Sequence, residues 1–113
     1  MRAFAPGGHD VPDGPPLQLA VGDPVEAGIR HDHWPAFVFV RSPKGTGWVP
    51  SRHLSSDHGP VTVTEAYDTT ELALQPGTAV TVVARDDESG WWWCRDGDGA
   101  EGWVPAEALQ PGD

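Results

Sequence analysis

Cysteine is almost missing from this chain: Cys94 stands alone. That excludes an internal disulfide and a cysteine-built zinc cluster. Small secreted domains usually depend on disulfides, so their absence favours a reducing compartment. Long hydrophobic runs are missing as well. Nowhere do the ~18 consecutive apolar residues of a membrane-spanning helix occur. The opening stretch, Met1-Arg2-Ala3-Phe4-Ala5-Pro6-Gly7-Gly8, carries no apolar run of the signal-peptide kind. A cytoplasmic protein with no membrane partner is the expectation. Basic residues are scarce, seven against seventeen carboxylates, for a formal charge of −10. Nucleic-acid binding needs clustered Lys and Arg to displace phosphate counterions, so it is excluded.

What the chain does have is turn formers and large aromatics. Fourteen Gly and twelve Pro in 113 residues interrupt helices and long strands. Six Trp and 38% hydrophobic residues argue against disorder, which is poor in aromatics. Many turns around a few heavy apolar anchors imply an all-β fold. The length suits one domain or two very small ones, and a core built from about 55 residues buries only ~60% of its unfolded surface. Each such core is marginal, and each buried Trp is a large share of it.

The charge is uneven. Up to Ser55 five basic residues balance five acidic ones. From Ser56 onward only Arg85 and Arg95 oppose twelve carboxylates, so the whole net charge lies in the second half. A neutral or basic partner is favoured there, although acidity that serves only solubility is an equal alternative.

The chain repeats itself. Gly47-Trp48-Val49-Pro50 recurs as Gly102-Trp103-Val104-Pro105, with Leu54 and Leu109 four residues after each Pro. Leu17-Gln18-Leu19 through Val25 mirrors Leu72-Ala73-Leu74 through Val80, and Phe37-Val38-Phe39-Val40 corresponds to Trp91-Trp92-Trp93-Cys94. Offsets stay at 54 or 55 residues and the order is kept, which marks an internal repeat. Within each copy Leu72/Leu74 and Val80/Val82 alternate as half-buried strands do. Trp91 to Arg95 reads as a strand, Asp96-Gly97-Asp98-Gly99 as a tight hairpin, and Glu101 to Val104 as its return. Pro105, which has no N–H, ends that ladder, and Ala106 to Leu109 makes one 3₁₀ turn. The first copy has the same plan, with its hairpin at Ser42 to Thr46. Ser55 to Pro60 is a polar linker.

These features together resemble the SH3 family. Ala66-Tyr67-Asp68 is similar to its ALYDY signature, Glu71-Leu72 to its acidic-Leu step, Trp91-Trp92 to its paired Trp, and Gly102-Trp103-Val104-Pro105 to its Gly-aromatic-aliphatic-Pro motif. The first half matches more loosely, with Ala3-Phe4 in place of Ala-Tyr, then Leu17, Gly22 and Trp48-Val49-Pro50. With Trp34-Pro35-Ala36-Phe37, the chain resembles variant SH3 tandems that occur as small free-standing bacterial proteins. The resemblance implies two five-stranded SH3-like β-barrels in tandem, residues 1–55 and 61–113, joined by a linker at 56–60, each closing with a 3₁₀ turn.

In this family an aromatic groove holds a proline-rich peptide in the polyproline II form, which is extended before binding and loses little entropy on docking. Carried over to the second half, the groove comprises Tyr67, Trp91 and Pro105, with Glu71 placed to pair with a ligand Arg or Lys. Asp86, Asp87 and Glu88 add a negative rim. In the first half Phe37 replaces the groove Trp, Pro50 is kept, and His53 stands at the terminal Tyr position. There are departures too. Thr69 replaces the second ALYDY aromatic, Ala108 the terminal Tyr, and only four residues separate Tyr67 from Leu72. The first half has instead a long loop, Pro6 to Pro16. Trp91 and Trp93 alternate with Trp92 and Cys94, so one pair faces outward and serves either a ligand or the neighbouring barrel. Trp34 is read as a domain-contact residue, and Cys94 as buried and inert.

Enzymatic chemistry is set aside. His31 and His33 would point the same way on a strand, but no spacing announces third and fourth metal ligands, and the segment reads as a solvated loop before a strand. Asp96, Asp98 and Glu107 fit calcium-loop positions, yet Ala100 and Glu101 occupy sites the loop needs for a ligand and a Gly. No serine has a nucleophile elbow and no Gly-rich loop opens a helix. The expectation is a non-enzymatic module without cofactor or metal, binding a neutral to basic peptide as a monomer or weak homodimer. The alternatives are an assembly protein whose barrels pack and self-associate, and cell-wall binding.

Overall fold

A computed structural model describes residues 1–112. Its elements are almost all short strands, as the Gly- and Pro-rich composition requires. They are β1 (Arg2–Ala5), β2 (Gln18–Leu19), β3 (Pro24–Arg30), β4 (Phe37–Ser42), β5 (Gly45–Pro50), β6 (Gly59–Thr62), β7 (Tyr67–Asp68), β8 (Thr78–Asp86), β9 (Trp91–Arg95), β10 (Glu101–Pro105) and β11 (Gln110–Pro111). Two 3₁₀ turns, Ser51–His53 and Ala106–Ala108, follow Pro50 and Pro105. Among the described residues no helix is long and apolar enough to cross a membrane.

The internal repeat is visible in the pairing. Trp91, Trp93 and Cys94 of β9 lie opposite Pro105, Trp103 and Gly102 of β10. Phe37, Phe39 and Val40 of β4 lie opposite Pro50, Trp48 and Gly47 of β5. The two Gly-Trp-Val-Pro stretches therefore occupy the same register in their own sheets.

The division into compact units differs from the boundary expected at 56–60. Unit one comprises Met1–Gly14 with Thr70–Asp113, and unit two comprises Pro15–Thr69; Asp113, the last residue of the expected second domain, lies outside the described residues. The reason is a reciprocal exchange of leading strands. β1 pairs with β8, Ala3 opposite Val80, and with β11, Phe4 opposite Gln110. β6 pairs with β3, Val61 opposite Val25, and Val63 bridges Leu54. Val25 and Val80 are repeat mates, so Val61 fills in one unit the place Ala3 fills in the other. Each half of the chain completes its sheet with the leading strand of the other half.

The sheets run β10-β9-β8-β1-β11 in unit one, and β5-β4-β3-β6 with a separate β2-β7 pair in unit two. Closed five-stranded barrels are not what the strand pairing forms. The stretches that would close each ring are short and rich in Gly and Pro, so they contribute a two-residue ladder or single bridges: β2 on β7, His9 with Leu74, and Glu71 with Trp103.

Period-2 alternation sets the cores. Val80 and Val82 are buried while Ala79 and Thr81 are exposed. Ala3, Ala5, Leu72, Leu74, Cys94, Val104 and Leu109 join them in unit one, with Trp92 packed against the cluster. Unit two buries Leu17, Leu19, Val25, Val38, Val40, Val49, Val61 and Val63.

Candidate functional site

The two faces of β9 have different duties. Cys94 is fully buried and Trp92 leans on the core, so Trp91 and Trp93 project from the opposite face. Trp93 meets Trp103 edge-on at 5.2 Å, and its indole N–H donates to Glu101 Oε1 at 2.7 Å. That bond, then the one from Arg95 at 2.7 Å, holds the Glu101 carboxyl below its usual range. Phe39 and Trp48, 5.3 Å apart, repeat the arrangement in unit two.

Trp91 is half-buried, and the ring beside it is not Tyr67, which the family resemblance placed there. The ring of His9 stands edge-on to it at 5.6 Å. His9 Nε2 hydrogen-bonds Glu71 Oε1 at 2.9 Å. The backbone fixes this placement: His9 and Leu74 exchange two hydrogen bonds of 2.9 Å, and Trp103 N–H donates to Thr70 C=O at 2.9 Å, which anchors Glu71. Pro105, buried, lies opposite Trp91 in the β9–β10 ladder. Trp91, His9, Glu71 and Pro105 thus gather on one unit.

Tyr67 is elsewhere. It belongs to unit two, where it pairs with Leu19 and lies 5.0 Å from the His53 ring. Leu19 and Leu74 are repeat mates, so His9 of unit one is the counterpart of Tyr67; Phe4, aligned with Tyr67 by the Ala-Phe likeness, sits one strand earlier, opposite Ala79 in β1. His53 Nδ1 lies 3.1 and 3.2 Å from the carbonyls of Glu65 and Ala66, so that nitrogen carries the proton, and Nε2 faces the Glu65 carboxylate at 3.7 Å. Phe37 and Pro50 oppose each other and are buried, as are Tyr67 and His53. The corresponding surface of unit two is closed.

The acidic rim is divided as well. Asp86 starts a tight loop in which Gly90 N–H and the Ser89 hydroxyl both donate to its carbonyl. Asp87 accepts from the Trp92 indole at 3.1 Å and lies 3.6 Å from Arg85, whose guanidinium sits 4.6 Å over the Trp92 ring. Its carboxylate is thereby tied to the face of β9 away from Trp91, and Glu88 is exposed. The charge asymmetry survives the exchange: unit one carries eleven carboxylates against three guanidinium groups, unit two six against four cations.

Two motifs weighed for metals serve turns instead. His31 Nδ1 accepts from the N–H groups of His33 and Trp34, both at 3.1 Å. Asp96 Oδ1 accepts from Asp98 and Ala100 N–H at 2.9 and 3.0 Å, closing the hairpin.

Residues 62–112 match the variant SH3 domain family. Such domains are in general protein-interaction modules. The chain is also 42% identical over 48 residues, 42% of its length, to the SH3 domain-containing protein Dlish of Drosophila melanogaster. It is 32% identical over 110 residues, 83% of its length, to SH3 and PX domain-containing protein 2B of Mus musculus. It spans only 13% and 12% of those two proteins. No solved structure gives a significant match. The matched stretch is contiguous in sequence, yet its first residues, 62–69, lie in unit two and the rest in unit one.

Proposed function

We propose that the chain is a non-enzymatic protein-binding module made of two SH3-like units, and that unit one takes a basic, Pro-containing peptide segment of a cytoplasmic partner. The observation that carries this reading is the half-buried Trp91 met by the His9 ring, whose Nε2 also hydrogen-bonds the Glu71 carboxylate. A prolyl ring can stack on the indole, while a ligand guanidinium uses the Glu71 lone pairs left free by His9. Of the nine residues expected to bind peptide, Trp91 and Glu71 are the ones this reading uses directly. Pro105 stands beside Trp91 across the β9–β10 ladder, and Asp86 and Glu88 add negative field. Tyr67, Phe37 and Pro50 are core residues of the closed unit.

The acid excess of unit one favours a cationic ligand and raises its encounter rate at low salt. Because the surface is shallow, a dissociation constant of tens to hundreds of micromolar is expected. Titrating the ¹⁵N-labelled protein with a synthetic peptide containing Arg and Pro-x-x-Pro tests this. The largest shifts are expected at the Trp91 indole and the Glu71 amide, and Trp91→Ala weakens binding at least tenfold. Unmoved Trp91 and Glu71 signals at millimolar peptide would refute the reading.

A further inference from the structure

The interior strand that completes unit one is joined to its sheet by a long detour. β1 lies between β8 and β11, with Ala3 opposite Val80 on one side and Pro111 on the other. Ala3 and Ala5 are 1% and 0% exposed, so the strand is part of the core. Covalently, however, β1 reaches the rest of unit one only through all of Pro15–Thr69. No hairpin holds it in place.

We propose that two copies of this chain exchange residues 1–14 reciprocally, forming a dimer in which each unit one contains the β1 of the partner. Every hydrogen bond of β1 with β8 and β11 is remade in the exchanged form, so the two states differ only in the connector and in association entropy. The connector suits the open form. Asp10 to Pro16 are all exposed. The chain bends at Asp13-Gly14, where Gly14 has φ +108, and a bend made of exposed residues can open without breaking a core contact.

The second crossing, at Thr69–Thr70, is built differently. Thr69 N–H donates to Leu17 C=O at 2.9 Å, Leu17 N–H donates to Thr69 Oγ1 at 2.7 Å, and Thr70 C=O accepts from Trp103. Fastened on both sides, it stays within one chain. The N-terminal segment is therefore the one that moves.

A tethered segment sees its site at an effective concentration in the millimolar range, so exchange between copies competes when the chain is refolded near ~1 mM and loses near ~10 μM. The test uses the full chain carrying Phe4→Cys and Ala79→Cys with Cys94→Ala. Phe4 and Ala79 are directly opposed in the β1–β8 ladder, within disulfide reach. Refolding at ~10 μM followed by oxidation is expected to yield cross-linked monomer, and at ~1 mM cross-linked dimer. The dimer should keep its doubled mass by light scattering after the disulfides are reduced. Unmodified protein refolded at the same two concentrations is weighed in parallel. Cross-linked monomer at both concentrations, or a dimer that falls apart at once on reduction, overturns the proposal. So does failure of the pair to cross-link, since β1 would then not lie on β8, and so does a constant 12.1 kDa mass for the unmodified chain.

Discussion

Replacing Gly8 by alanine tests whether the N-terminal segment belongs to the unit formed by residues 70–113. Gly8 has φ +72, and a Cβ there would lie 2.5 Å from the Leu74 carbonyl oxygen, 3.0 Å from Pro76 N and 3.1 Å from Gln75 C. All three are backbone atoms, and the Leu74 oxygen is fixed because it accepts from His9 N–H. The left-handed conformation alone costs alanine ~1 kcal/mol. Wedging a methyl group against immobile backbone adds ~1–3 kcal/mol. Prising apart the paired His9–Leu74 hydrogen bonds adds ~1 kcal/mol each. The expected loss is about 4 kcal/mol or more, a large part of the stability of so small a core. Gly77→Ala is the control: φ is +83 but nothing lies within 4 Å of its Cβ, so only the conformational ~1 kcal/mol is lost. Gly7→Ala, with open space and no positive φ, is expected to be neutral. Urea unfolding followed by Trp fluorescence, extrapolated linearly to water, ranks the three. If Gly8→Ala and Gly77→Ala unfold at the same midpoint, the segment does not pass Leu74 as described and the strand exchange is wrong.

The two repeat-mate glycines offer a second comparison. Gly102→Ala puts a Cβ 2.7 Å from the Glu71 carbonyl carbon and Leu72 N and should cost about 2 kcal/mol, whereas Gly47→Ala meets only side chains at 3.3 Å and beyond and should cost under ~1 kcal/mol; equal losses in urea melts would contradict this. Burial pushes the Cys94 thiol up to about 11, so it should stay unreactive toward an aromatic disulfide reagent at pH 8 until urea unfolds the protein. Rapid labelling of the folded chain would place Cys94 outside the core. Asp23 is held below its ordinary 3.8 by Lys44, Asp57 below the same value by His58 and Arg30, and Glu101 below 4.5 by Trp93 and Arg95. The unfolded chain takes up these protons first, so the stability they lend is complete above about pH 4.5 and disappears as pH falls through the folded values. Carboxyl ¹³C titrations should give midpoints below those ordinary values, and midpoints at or above them would refute the assignment.

Much of the fold was legible in the residues. Gly47-Trp48-Val49-Pro50 and its copy at 102–105 announce two equivalent β-hairpins, and the structure pairs both in one register. Alternation at Val80 and Val82, the Asp96–Gly99 hairpin, and the 3₁₀ turns after Pro50 and Pro105 are local matters, decided by side-chain period and backbone preference within a few residues. The asymmetry of charge was equally plain. The candidate site was legible only in part: Trp91, Glu71 and Pro105 come together, but Tyr67 goes to the other unit and His9 takes its place. The spacing gave no warning, since the six residues between Tyr67 and Leu74 are enough for a hairpin with a two-residue turn. In the structure Tyr67 pairs with Leu19 in unit two, and His9 pairs with Leu74 in unit one.

By itself, then, the sequence determined the strands, the turns, the repeat and the acidic half, because each depends on neighbours along the chain. Which leading strand completes which sheet was decided only in three dimensions. Ala3-Phe4-Ala5 and Val61-Thr62-Val63 present the same alternating pattern to repeat-mate acceptors, so pattern alone does not choose between them, and the choice rests on contacts between residues more than thirty positions apart, Ala3 with Val80 and Val61 with Val25.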